Sequence, residues 1–186
     1  MAGAHRSPSA KTGSLSQGAS WCRHRNRSVT AMKLTGEISV KAPREVVFEA
    51  LRDAHFFASC VEGVHDLTEI DQTHYSARFE TRIAYMKFKF NVTVELMRVE
   101  PPSEIEAKVE GVPLGVVGRL TAHSLLQVVE AGDATKVHYE TESTLAGKLG
   151  SIGQPVLRAK AKEMEKQFAK RLQAHFEGAG AGGASS

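Results

Sequence analysis

The stretch AGKLGSIGQPVLRAKAKEMEKQFAKRLQAHF, Ala146–Phe176, passes from a glycine-rich turn into a long helical period, and the reading of these two halves decides the fold. The first half has the outline of a phosphate cradle, because a glycine and a lysine leave a strand-like segment ahead of a helix. A Walker loop needs G-x-x-x-x-G-K-[ST], whose hydroxyl after the lysine ligates magnesium. Here Lys148 follows the first glycine of the run and is itself followed by Leu149, so that ligand is missing. Gly147, Gly150 and Gly153 are therefore expected to form a hinge from the last strand into the helix. In the second half Ile152, Val156, Met164, Phe168, Leu172 and Phe176 make an apolar stripe, with Arg158, Lys162, Glu165, Lys166 and Lys170 turned to water. At 1.5 Å per residue such a helix reaches about 35 Å, enough to cross a whole sheet.

Ahead of the hinge the period is two. Residues 119–129 and 135–145 read as a hairpin around Ala131-Gly132-Asp133, with Leu120, Ala122, Leu126 and Val128 facing Val137, Tyr139 and Leu145. Ile105, Ala107 and Val109 mark a strand, followed by a loose connection, Gly111–Gly118. Further upstream Met86, Phe88, Phe90, Val92, Val94 and Leu96 alternate with polar residues, as do Tyr75, Ala77, Phe79, Thr81 and Ile83. The apolar parity slips from odd to even at Ala84-Tyr85. Within one continuous strand that slip would turn the apolar face outward, so a tight turn is expected there. Leu34–Val40 is the first strand, Pro43 opens a short helix through Leu51, and Asp53 caps a second one through Cys60. The order is β-α-α-β6-α. Short turns after a single crossover imply an α+β fold: a curved, seven-stranded antiparallel sheet wrapped on a long C-terminal helix.

Charge and composition narrow the function. The formal charge of the 186-residue chain is +3, but Arg6, Lys11, Arg23, Arg25 and Arg27 lie in a segment without acids; the remaining 19 Lys and Arg face 21 Asp and Glu, a net of −2. The body is no basic platform, which excludes nucleic acid as the expected partner. Residues 1–31 read as a disordered basic leader with the composition of a transit peptide, and structured sequence resumes at Met32, the favoured start of translation. Residues 32–177 form the folded domain and 178–186 a flexible Gly/Ala/Ser tail. Two cysteines, Cys22 and Cys60, make no disulfide framework, and a cytoplasmic location is expected.

Four motifs carry a resemblance. MKLTGEISVKAPREVVFEAL, SCVEGVHDL, GKLGSIG and AKAKEMEKQFAKRL, in this order, make residues 32–176 resemble the carbon monoxide dehydrogenase CoxG family. That family belongs to the helix-grip (SRPBCC) superfamily, with START domains, polyketide cyclases and the birch-pollen allergen. There are departures: Cys60-Val61-Glu62-Gly63 replaces the family's Cys-Ile-Pro-Gly, and Ala84-Tyr85 stands where many members turn with Gly-Pro. The resemblance implies a binding fold with an internal apolar cavity and an accessory role beside a molybdenum-containing hydroxylase. It implies neither a metal nor catalysis on this chain.

The inward parity mixes large side chains with small ones, which by itself fits either a filled core or retained space; the resemblance selects a cavity. Its expected lining is Phe56, Phe79, Phe88, Phe90, Leu120, Ala122, Ser124, Tyr139, Thr141, Ile152, Val156, Met164 and Phe168. Tyr139, Ser124 and Thr141 are its polar groups, suited to orient a head group. An apolar lining with few charges selects a hydrophobic small molecule, a lipid or a quinone. No other cofactor and no metal is expected, since His55, Cys60 and His65 lack the tighter spacing of zinc sites. Cys60 is read as a small buried hydrophobe. Glu80, Glu95, Glu140 and Glu142 fall on outward faces, and no G-x-S-x-G or H-E-x-x-H occurs, so an enzyme of cyclase or hydratase type is the lesser reading. A recruitment module is the other alternative, using Lys87, Lys89 and the basic face of the last helix. Contact with a membrane is expected to be at most peripheral, at its inner face.

Overall fold

The protein, described by a computed structural model over residues 29–180, has the expected order. Strand β1 (Val29–Val40) leads to helices α1 (Arg44–Arg52) and α2 (Ala54–Cys60). Six strands follow: β2 (Val64–Glu69), β3 (His74–Ile83), β4 (Met86–Glu100), β5 (Glu104–Pro113), β6 (Gly118–Ala131) and β7 (Ala134–Gly147). A single 3-10 turn, Gly150–Ile152, precedes α3 (Gln154–Gly180). The seven strands form one sheet in the order β1-β7-β6-β5-β4-β3-β2, antiparallel throughout.

Local chemistry accounts for the joints. Pro43 sits at the N-cap of α1 in an extended conformation rather than inside its first turn. Asp53 caps α2, its carboxylate accepting from the Phe56 N–H at 2.9 Å and satisfying one of the helix's free donors. The parity slip resolves as a two-residue turn: Ile83 pairs Met86, Phe79 pairs Phe90, and Ala84 takes a φ of 53°. Register breaks at Leu96/Arg98 and His65/Thr68 act as bulges, which bend a sheet and let it wrap.

Two boundaries differ from the sequence reading. β1 begins at Val29 instead of Leu34, so the last three residues assigned to the leader are paired, Val29 with Ala146, Thr30 with Leu145 and Ala31 with Thr144. Thr30 Oγ1 also donates to the Gly150 carbonyl, and Gln154 Nε2 donates to that of Ala31. The rest of the leader, residues 1–28, lies outside the described residues. α3 runs on to Gly180, and the remainder of the expected tail, 181–186, is likewise outside them.

The buried stripe of α3 is also rotated from the one expected. Leu157, Leu172 and Phe176 are 4%, 0% and 6% exposed, whereas Val156 is 37% exposed. Pinned at both ends, α3 holds Ala31 through Gln154 at its start; at its far end Gln173 donates to the Ser39 carbonyl and Arg171 to that of Ser59. No helix among the described residues is long and apolar enough to cross a membrane.

Candidate functional site

The apolar interior is not one continuous core. One buried cluster gathers Ile38, Val40, Val47, Phe48, Leu51, Ile105, Val128, Val137, Leu172 and Phe176 beneath α1 and the end of α3. The second gathers Met32, Ile83, Phe88, Phe90, Leu145, Leu149 and Leu157 at the start of α3. Between them the inward positions of five strands are only half-buried: Leu34 and Gly36 on β1, Tyr139 and Thr141 on β7, Ser124 and Leu126 on β6, Ala107 and Val109 on β5, Val92 and Val94 on β4. Ala161, Met164, Glu165 and Phe168 stand half-buried on α3. Close-packed interiors leave few voids, so accessible side chains on the inner face of a covered sheet mark space between sheet and helix.

The polar groups of this band are few. Ser124 Oγ and Thr141 Oγ1, brought opposite each other by the β6–β7 register, lie 2.8 Å apart and satisfy one another. Tyr139 is different. Its ring covers Gly36, its partner across the β1–β7 ladder, and its hydroxyl is buried with no hydrogen-bond partner. Burial, with the neighbouring Glu165 carboxylate, holds the Tyr139 phenol well above its ordinary pKa, so the hydroxyl stays a donor at neutral pH. Glu165, expected to face water, is instead half-buried on the inward side of α3.

The expected lining divides accordingly. Ser124, Tyr139, Thr141, Met164 and Phe168 fall in the band, Phe168 with its ring 5.0 Å from that of Phe57. Phe88, Phe90 and Ala122 are 4%, 3% and 8% exposed and fill the packed end instead, because the neighbouring Phe rings stack on one another at 5.9 to 6.2 Å. Phe79, Leu120 and Ile152 pack against that same end. Phe56 closes the opposite end against Phe176 and His175. Val156 faces away, lining an open surface groove of about 620 Å³ between Arg82 and Ala84 on one side and Ala159 and Lys160 on the other. In the hinge, Gly147 and Gly153 have φ of 71° and 93°, while Gly150 begins the 3-10 turn without a positive φ. Sequence reasoning missed Gly36, Phe57 and Glu165. The signal for Glu165 was its spacing, since counting in helical steps from Leu157 toward Leu172 passes through it.

Elsewhere the surface is paired or small. Lys87 and Lys89, expected to be free for contacts, both hold Glu80, at 2.8 and 2.7 Å. His55 and His65 share a shallow groove of about 200 Å³ at the α2–β2 junction. No group of three or more His, Cys, Asp or Glu placed to hold a metal occurs among the described residues. Cys60 is buried, and burial raises its thiol pKa.

Solved structures share this architecture. A conserved protein from Geobacillus kaustophilus superposes with a TM-score of 0.72 at 25% identity, covering 78% of this chain and 95% of its own. A START superfamily protein from Mycobacterium smegmatis gives 0.61 at 12% identity, over 78% of this chain and 97% of that one. The Zhui aromatase/cyclase from Streptomyces sp. R1128 gives 0.58 at 14% identity, over 80% and 94%. The fold is therefore the START-like helix-grip fold. No curated protein sequence matches this chain significantly. The sequence of residues 36–176, which spans the whole sheet and its gripping helix, matches the carbon monoxide dehydrogenase CoxG family, and the chain belongs to that family.

Proposed function

We propose that this chain is a non-catalytic accessory protein that holds a lipid-like or quinone-like molecule between its sheet and α3 and serves a molybdenum hydroxylase-type enzyme. One observation carries the proposal: the half-buried apolar band between two buried clusters, spanned by a helix pinned at both ends. An apolar lining with few polar groups suits a mainly hydrocarbon guest with one polar end. The oxidation chemistry belongs to other chains of the assembly. The chain works in the cytoplasm, peripheral to the inner face of the membrane, where such guests reside.

Native mass spectrometry of the purified full chain, followed by organic extraction, tests this. A bound apolar mass, removed by the solvent and restored by adding a lipid or a quinone, is the expected result. A chain that carries no mass and takes up neither compound would sink the proposal. The accessory role is tested by adding the loaded chain to a purified molybdenum-containing dehydrogenase, whose turnover should rise only with the loaded form.

A second reading, a cyclase or hydratase acting on the guest, has one observation in its favour. Tyr139 and Glu165 bring a phenol and a carboxylate together in the interior, the acid-base pair that the outward carboxylates could not supply. Chemical conversion of the extracted guest by the chain alone would support it over the carrier.

A further inference from the structure

Three interior hydroxyls face the band, and two of them are accounted for. Ser124 and Thr141 bond each other at 2.8 Å. The Tyr139 hydroxyl has no partner although it is buried, and a buried donor left unmade is among the costlier defects a fold can carry. Its position is constrained by the strands. Gly36 and Leu126 flank it in register, and only the absence of a side chain at Gly36 lets the ring lie flat there. Across from it, Glu165 occupies an inward position on α3, and no ion pair joins it to a cation among the described residues. A carboxylate on an apolar helix face is also costly without a donor. Two incomplete groups of opposite character thus stand side by side in an otherwise apolar band.

We infer that Tyr139 and Glu165 form the polar end of the interior site and select an apolar ligand bearing a hydroxyl group, an alcohol, a phenol or a hydroquinone, over its carbonyl-only or ether counterpart. The inference rests on the interior being a ligand site, and it adds which ligand that site prefers. A protonated phenol donates, and a carboxylate only accepts. The one group that completes both is a group that accepts from Tyr139 and donates to Glu165, which is a hydroxyl. A ketone or quinone oxygen satisfies Tyr139 but sets its lone pairs against the Glu165 carboxylate. An ether does the same. Sites built to bond a ligand hydroxyl reject the analogue lacking it, because their own polar groups are then stranded.

The test uses three probes with one carbon skeleton, farnesene, farnesol and farnesyl methyl ether, titrated against the full chain by displacement of a fluorescent apolar dye. Farnesol is expected to bind about tenfold more tightly than the methyl ether, the worth of one completed buried hydrogen bond. Tyr139→Phe should weaken farnesol and the ether while leaving farnesene unchanged, which also shows that the variant is folded. Glu165→Gln, whose amide can donate as well as accept, should let the ether rise toward farnesol. Equal binding of all three by the unmodified chain overturns the selectivity and leaves the carrier proposal standing. Binding of none overturns both. A farnesol preference that survives both substitutions assigns the selection to other groups and overturns the role of this pair.

Discussion

The Tyr139 hydroxyl occupies the space in which a side chain at Gly36 would begin: an ideal Cβ on Gly36 falls 2.1 Å from that oxygen and 2.4 Å from Tyr139 Cζ. Gly36 on β1 and Tyr139 on β7 are ladder partners, so the absence of one side chain sets the direction of the other. Gly36→Ala should force the ring off its seat and destabilise the fold by about 1–3 kcal/mol, the usual range for overpacking. The same change in a Tyr139→Ala background should cost much less. Thermal unfolding of the double-mutant cycle checks this, and equal costs in both backgrounds would refute the contact.

The two strained hinge glycines should not respond alike. An alanine at Gly147 meets the Val117 carbonyl oxygen at 2.5 Å as well as a φ of 71°, whereas at Gly153, with a φ of 93°, the nearest neighbour is Pro155 Cδ at 4.0 Å. Gly153→Ala therefore carries only the backbone penalty, about 1–3 kcal/mol. Gly147→Ala adds a clash with backbone that has little freedom to move. Chemical denaturation should rank Gly147→Ala as the more damaging; the reverse order would contradict the hinge geometry. Calorimetry with ATP should show no binding by the unmodified chain, as the missing Walker hydroxyl requires.

Adjacent residues on α3 should differ sharply. Leu157 is 4% exposed within the cluster that closes one end of the interior, and Val156 is 37% exposed on the outside. Leu157→Ala is expected to cost roughly 2–4 kcal/mol through lost burial and the cavity left behind. Val156→Ala should cost within about 1 kcal/mol, as surface substitutions do. Similar losses for both would mean that α3 is rotated from the position described.

Acid titration has a marked site at Glu80. Its carboxylate bonds Lys87 first and Lys89 second, and these pull its pKa down to about 2. A folded pKa below that of the unfolded chain means that the stabilisation is complete above the ordinary glutamate range and is lost as pH falls through about 2. NMR titration should find Glu80 still ionised at pH 3. Lys87→Met should raise its midpoint toward the ordinary value, and an unchanged midpoint would disprove the pairing as the cause.

The sheet was legible because its signals are local. Alternation in β3, β4, β6 and β7 follows from side chains pointing to opposite faces at every step. The slip at Ala84-Tyr85 could only be a turn, and Ile83 indeed pairs Met86. Asp53 announced its helix because a short carboxylate reaches the free N–H groups of the next turn. Of the site, Tyr139 and Phe168 were found by parity and stripe. Phe88 and Phe90 were assigned to the same lining because parity tells inside from outside but not the packed end of an interior from its open middle.

What the sequence determined by itself was the order of elements, the antiparallel sheet with its gripping helix and the inward face of each strand, since each depends on residues within one or two turns of one another. Tertiary structure alone decided the rest. A helix advances 100° per residue, so Val156 and Leu157 are equally eligible for burial until a sheet lies against one side; Glu165 turns inward for the same reason. Ser124 finds Thr141 only through the β6–β7 register, and Tyr139 finds Gly36 only when the first and last strands meet. Those pairings leave one hydroxyl satisfied and the other open, and they arise from contacts between strands, which no single segment encodes.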